Sequence, residues 1–115
     1  MLFRSTIYDS LLEIMKDNNP DTVVIERLFF ARNVTTAISV SHARGVMLLA
    51  ATNLGIPVAE YTPLQIKQAL TGYGQADKAQ IQEMVKIMLG LNERPKPDDC
   101  ADALAAALTH SMQHP

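Results

Sequence analysis

The sequence predicts an α/β domain, and three observations carry that expectation. Two short apolar runs, Thr22-Val23-Val24-Ile25 and Ile56-Pro57-Val58-Ala59-Glu60-Tyr61, are bounded by turn signals and read as strands. The stretches before, between and after them repeat apolar residues at helical spacing. Alternation then gives the order α-β-α-β-α-α-α with short connections and no internal repeat, which argues for a parallel strand pair.

Each element has its own local reason. Ile7, Leu11, Leu12, Ile14 and Met15 recur at near-helical spacing, and Asn18-Asn19-Pro20-Asp21 stops that helix. The β-branched run that follows lacks polar alternation, so it suits a strand covered on both faces. Glu26 ends it with a charge. Thr35 to Leu54 carries Ala37, Ile38, Val40, Ala43, Val46, Met47, Leu49 and Ala50 in a 3.6-residue rhythm, closed by Gly55. Pro57 belongs at the start or edge of the second strand. Thr62-Pro63 is an N-cap followed by a first-turn proline, opening a helix through about Leu70. Asp77 with Gln80 forms a capping-box signature for a helix that ends at Leu89 before Gly90. Asp98 is placed to cap a last helix running to about Met112. Two strands make a poor sheet, so the sequence implies strands that it does not contain or that a partner supplies.

Composition narrows the class. The chain has 115 residues, 48% apolar and 19% charged, which fits one globular domain and excludes a disordered or low-complexity chain. Its formal charge of −2 does not announce a nucleic-acid binder, although a local basic patch stays compatible with it. The lone Cys100 excludes an internal disulfide framework and a multi-cysteine zinc site, and fits a reducing cytosol. No apolar run approaches the roughly 20 residues of a membrane span, and the opening residues lack a signal-peptide pattern. The expectation is a cytoplasmic chain with no membrane association.

Three carboxylates are the candidate chemistry. Glu26 stands at the carboxyl end of a strand, where ligands bind in open α/β sheets. Asp99 and Asp102 lie three apart at the start of the last helix, on one face. If these two places meet, the like charges call for a hard divalent cation, and an oxygen-only set favours Mg²⁺ or Mn²⁺ in phosphodiester hydrolysis. Spacing alone favours the bland account. Acids in a first helical turn complement the helix dipole, and a glutamate after a strand is commonly solvated.

Five blocks in order extend this reading. They are Val24-Ile25-Glu26-Arg27-Leu28-Phe29-Phe30-Ala31-Arg32-Asn33, Ser41-His42-Ala43-Arg44-Gly45-Val46, Glu60-Tyr61-Thr62-Pro63-Leu64-Gln65-Ile66-Lys67-Gln68, Gly72-Tyr73-Gly74-Gln75-Ala76-Asp77-Lys78, and Pro97-Asp98-Asp99-Cys100-Ala101-Asp102-Ala103-Leu104-Ala105. Together they resemble the RuvC-type Holliday-junction resolvases. The resemblance implies an RNase-H-like α/β fold, incomplete at its N-terminus, with about two strands and five helices left. It implies a crossover junction endodeoxyribonuclease that works with Mg²⁺ as a homodimer on four-way junction DNA, in recombination and repair, beside branch-migration machinery. By the same resemblance Glu26, Asp99 and Asp102 are catalytic metal ligands, Phe29 is an aromatic wedge near the crossover, and Lys67 and Lys78 approach the DNA backbone. The family's first aspartate, on an opening strand with a Gly-Ile-Asp-Pro-Gly-like motif, is not among these residues. The expectation is therefore poor metal binding and little cleavage by this chain alone.

Beside these stand plainer readings. Phe29, flanked by Arg27, Arg32 and Asn33, suits a nucleic-acid edge, whereas Phe30 suits a core. Arg44, among apolar residues, fits an ion pair as well as a phosphate contact. His42, His110 and His114 do not form a metal set and read as surface residues. Cys100 reads as a small packed hydrophobe, and Met15, Met47, Met84 and Met88 as core filler. Small residues around Ser39, His42 and Ala43 would allow a second subunit to approach closely. The runner-up function is an inactive homologue that keeps only dimerisation or DNA-binding surfaces. From another class, an α/β interaction module would make the acidic pair a mere helix start.

Overall fold

A computed structural model describes the backbone of residues 2–27 and 34–114, with side chains over residues 6–27 and 41–114. The elements follow the expected order: α1 (Leu2–Asn18), β1 (Val23–Glu26), α2 (Val34–Asn53), β2 (Val58–Tyr61), α3 (Pro63–Thr71), α4 (Lys78–Leu89) and α5 (Asp98–Gln113). They divide into two compact units. Among the described residues, no helix is long and apolar enough to cross a membrane.

The first unit is built on α1 and α2. Met15 of α1 meets Ala50 and Ala51 of α2 in a buried cluster, with Tyr8, Leu11 and Leu12 packed around it. The two alanines leave no exposed surface, so the helices touch through small side chains. Tyr8 Oη accepts a 2.6 Å hydrogen bond from Asn53 Nδ2, tying the middle of α1 to the end of α2. At the other end of α1, Asn18 Nδ2 donates to the Ile14 carbonyl and Asn19 turns left-handed at φ 47°, after which Pro20 cannot extend the helix. Ile14 is 56% exposed, so the apolar stripe is narrower than its spacing suggests. The helix also starts earlier than Ile7, since neither proline nor glycine interrupts the residues before it.

The strands pair as a two-stranded sheet. Val23 N–H donates to the Pro57 carbonyl and Arg27 N–H to the Tyr61 carbonyl, so partners advance together along both strands and the pair is parallel. All four residues of β1 are half-buried instead of alternating, which is the pattern expected of a parallel strand.

The second unit sets α3, α4 and α5 against one another around Tyr61, Ile66, Leu70, Ile81, Val85 and two alanines of α5. α3 and α4 begin with complete capping boxes. Thr62 Oγ1 accepts from Gln65 N–H while Gln65 Oε1 accepts from Thr62 N–H, and Asp77 and Gln80 repeat the arrangement. Each such cap contributes about 1 kcal/mol. Gly72 and Gly90 end these helices in the left-handed region, φ 74° and 66°, where a side chain would be strained. On α5, Ala101, Ala105, Ala106 and Thr109 form the buried face, and Thr109 Oγ1 satisfies itself on the Ala105 carbonyl at 2.9 Å.

Four expectations are corrected in this unit. Pro97, not Asp98, is the N-cap of α5; proline has no polar side-chain atom to make a cap bond, and the Asp98 carboxylate turns to α4. Cys100 is exposed rather than packed, since the whole first turn of α5 faces outward. Met88 is 36% exposed and belongs to the outer side of α4. His110 is part-buried, with its Nδ1 2.7 Å from the hydroxyl of buried Tyr61.

Candidate functional site

Glu26 reaches the site because β1 ends there, and the parallel pairing of β1 with β2 brings the Thr62-Pro63 start of α3 to the same end. A cavity of about 280 Å³ opens between this strand end and the three helices. Its apolar wall is Ile66, Ala76, Ile81 and Ala105. Its polar rim is Glu26, Asp102, Lys67, Lys78 and Asp77. Pro63 and Lys78 are the first residues of α3 and α4, so two helix N-termini border the opening. Their partial positive charge favours an anion there.

The electrostatics follow from this placement. Burial pushes the Glu26 carboxyl above the ordinary carboxylate value, the nearby Asp102 charge adds to the rise, and the Lys78 and Lys67 ammonium groups oppose it. The half-buried Glu26 thus faces a wall that solvates it poorly, with a second acid and two cations close enough to be felt. Such a pair is relieved by a proton or by a bound cation.

Asp99 falls elsewhere. It is exposed and lines a shallow depression with Lys96, Pro97 and Asp98. Asp102 lies between buried Ala101 and Ala105, so its turn of α5 presses on the unit while the turn carrying Asp99 does not. Among the described residues no group of three His, Cys, Asp or Glu side chains is close enough to hold a metal ion. Of the expected DNA-contact residues, Lys67 and Lys78 stand on the cavity rim, whereas Phe29, Arg32 and Asn33 lie outside the described residues. Arg27, next to Glu26, is held by Glu60 at 3.1 Å and remains largely exposed.

Sequence reasoning missed two parts of this region. Asp77 does cap α4, as its spacing with Gln80 predicts, but it also borders the cavity. Asp98 accepts from Lys78 Nζ at 3.4 Å and from Gln82 Nε2 at 3.0 Å. The i,i+4 spacing of Lys78 and Gln82 puts both donors on one face of α4, and that was the available signal.

The family model described as "Crossover junction endodeoxyribonuclease RuvC" matches residues 4–110. A protein of that name from Desulforamulus reducens is 59% identical over 106 residues, covering 92% of this chain and 65% of its own. Another from Desulfitobacterium hafniense is 60% identical over 105 residues, covering 91% and 64%. The chain therefore spans slightly less than two thirds of the length of these relatives. Thermus thermophilus RuvC superposes with a TM-score of 0.88 at 43% identity, over 95% of this chain and 66% of that one. The same protein in complex with a Holliday junction substrate gives 0.92 at 43% identity, over 96% and 67%. With its α/β, RNase-H-like architecture and a family match along nearly its whole length, the chain belongs to the RuvC family of crossover junction endodeoxyribonucleases.

Proposed function

We propose that this chain carries the junction-binding and most of the metal-binding surface of an endodeoxyribonuclease that resolves four-way DNA junctions. The observation that carries the proposal is the single cavity shared by Glu26, Asp102, Lys67 and Lys78. Acids alone would repel a DNA backbone, and lysines alone would bind it without cutting. Both kinds around one opening, bordered by two helix N-termini, suit a phosphodiester together with a divalent cation.

The residues divide the work by their chemistry. Glu26 and Asp102 offer oxygen ligands, and the raised Glu26 carboxyl gains most from a bound cation. Their oxygen donors fit Mg²⁺, with Mn²⁺ as a substitute, while Asp99 lies one turn away on α5, outside the cavity wall. When bound, the ion supplies Lewis acidity and charge neutralisation at the scissile phosphate. Lys67 and Lys78 draw the backbone to the opening and offset its charge. Phe29, Arg32 and Asn33 extend that interface, with Phe29 stacking on a base at about 1–3 kcal/mol. Glu26 must be ionised to serve, so acid weakens the site. A homodimer would present two such sites to opposed strands, with branch-migration machinery as a further partner, and a DNA substrate goes with a cytoplasmic location.

A second reading has its own support. Asp99 lies outside the cavity wall, and among the described residues no three acidic side chains gather closely enough to hold a metal ion. On that reading the chain binds junction DNA without cutting it.

The test is nicking of a synthetic four-way junction with labelled strands. The 115-residue chain alone is expected to bind the junction and nick it slowly. Joined behind the opening segment of the Desulforamulus relative, it is expected to nick opposed strands in Mg²⁺ and not in EDTA. A chimaera that binds but leaves every strand intact favours the second reading, and absence of binding in both proteins overturns both readings.

A further inference from the structure

The two lysines on the cavity rim are not in the same state. Lys67 makes no ion pair among the described residues, whereas Lys78 Nζ lies 3.4 Å from Asp98 Oδ2. The other Asp98 oxygen accepts from Gln82 Nε2 at 3.0 Å, so two donors on one face of α4 take one carboxylate oxygen each. Gln82 is neutral and one helical turn from Lys78, which keeps the carboxylate aligned with the ammonium without competing for charge. Asp98 is free for this because Pro97, not Asp98, occupies the N-cap of α5. Both members of the pair are about three-fifths exposed, 61% for Lys78 and 63% for Asp98, so the bond is weak and readily exchanged.

One oxygen of an anionic carboxylate thus meets the ammonium of a lysine that lines the anion-favouring cavity, although Asp98 itself lines the neighbouring depression. We propose that Asp98 holds Lys78 in the DNA-free chain as an internal stand-in for phosphate, which an incoming DNA backbone displaces. The inference rests on the reading of the cavity as a DNA-binding site. Its consequence is a selectivity device: Lys78 pairs with DNA only where the duplex geometry brings a phosphate deep enough to compete with Asp98, while Lys67 is open to any backbone nearby.

The test uses the 115-residue chain with two readouts. The first is the side-chain ammonium signal of Lys78 in ¹⁵N NMR without DNA. The parent is expected to show a Lys78 signal that exchanges more slowly than that of Lys67, a difference that Asp98→Asn abolishes while Lys67 is unchanged. The amide oxygen introduced by that substitution can still accept from Gln82 but carries no charge for Lys78. The second readout is anisotropy of a labelled four-way junction in EDTA, which removes metal effects at the neighbouring acids. Asp98→Asn is expected to tighten binding about two- to fivefold. In a Lys78→Gln background the same change is expected to do nothing measurable.

Equal tightening in both backgrounds would reveal mere removal of a negative charge and overturn the inference. So would a parent in which Lys78 exchanges as fast as Lys67, or unchanged affinity in Asp98→Asn. A tethered Lys78 in a parent that binds no junction overturns the DNA reading of the cavity and this inference with it, a result distinct from the other three. Thermal melts of Asp98→Asn and Asp98→Ser are expected to match the parent, so altered affinity is not misfolding.

Discussion

Asp99 and Asp102 are three residues apart on one helix, yet the fold treats them differently. Asp99 stands in a first turn that is exposed from Asp98 to Cys100. Asp102 stands in the next turn, between buried alanines, and faces Glu26 across a shared cavity. Only the inner of the two acids bears on the strand-end carboxylate: Glu26 is pushed up chiefly by burial and secondly by Asp102. On the proposed reading the inner turn is the place where a cation gains most, and the outer turn is where Asp98 trades Lys78 for solvent or DNA.

The sharpest way to break this contrast is to neutralise each turn separately. Asp102→Asn is expected to cut Mg²⁺-dependent nicking by the chimaera on the order of a thousandfold, as loss of several kcal/mol of charge stabilisation would. Asp99→Asn is expected to cost less than Asp102→Asn in the same assay. Equal losses would mean that the two turns act as one site and that their different burial is irrelevant to the chemistry.

A smaller effect of opposite sign is expected in stability. The folded state raises the Glu26 carboxyl, so it favours the neutral acid, and stability falls as pH rises from the ordinary carboxylate value through the raised one. Glu26→Gln removes that penalty. In cation-free buffer at neutral pH it is expected to raise the melting temperature by about 2–5 °C, an advantage that disappears at acid pH. A lower melting temperature in calorimetry would show that Glu26 is not strained.

Next come the helix starts that border the cavity. Asp77→Ala removes the α4 cap bond to Gln80 N–H and is expected to cost about 1 kcal/mol in urea unfolding, with Thr62→Ala similar at α3. The smallest effect belongs to Glu83, whose carboxyl is held below its ordinary value, first by the hydrogen bond from Arg94 Nε at 2.9 Å. Its contribution is present above the ordinary carboxylate value and fades as pH falls through the lowered one. The pair is exposed, so Arg94→Ala is expected to leave the neutral-pH melting temperature within about 1 °C.

Much of this was legible in the sequence because it is local. The N-cap at Thr62, the capping box at Asp77 and the terminal glycine at 90 are short-range chemistry, and each appears where its spacing places it. The capping box that Gln65 completes and the helix-ending role of Gly72 were missed. The order of strands and helices followed from periodicity, and the family from five blocks that span the chain. Glu26 was legible as a charge ending an apolar strand. What spacing could not supply was which turn of α5 presses inward, since that depends on α3 and α4 packing against Ala101 and Ala105. For the same reason Asp98 looked like a cap until α4 offered it Lys78 and Gln82. Cys100 and His110 exchanged expected roles because burial on α5 follows its contact face and not side-chain type.

The most direct measurement is a Mn²⁺ titration of the isotope-labelled chain, read by paramagnetic broadening of side-chain carboxyl and backbone signals. The predicted result is broadening centred on Glu26 and Asp102, weaker at Asp99, and lost in Glu26→Gln and Asp102→Asn. Broadening centred on Asp98 and Asp99, with Glu26 untouched, would contradict the assignment of the cavity as the cation site.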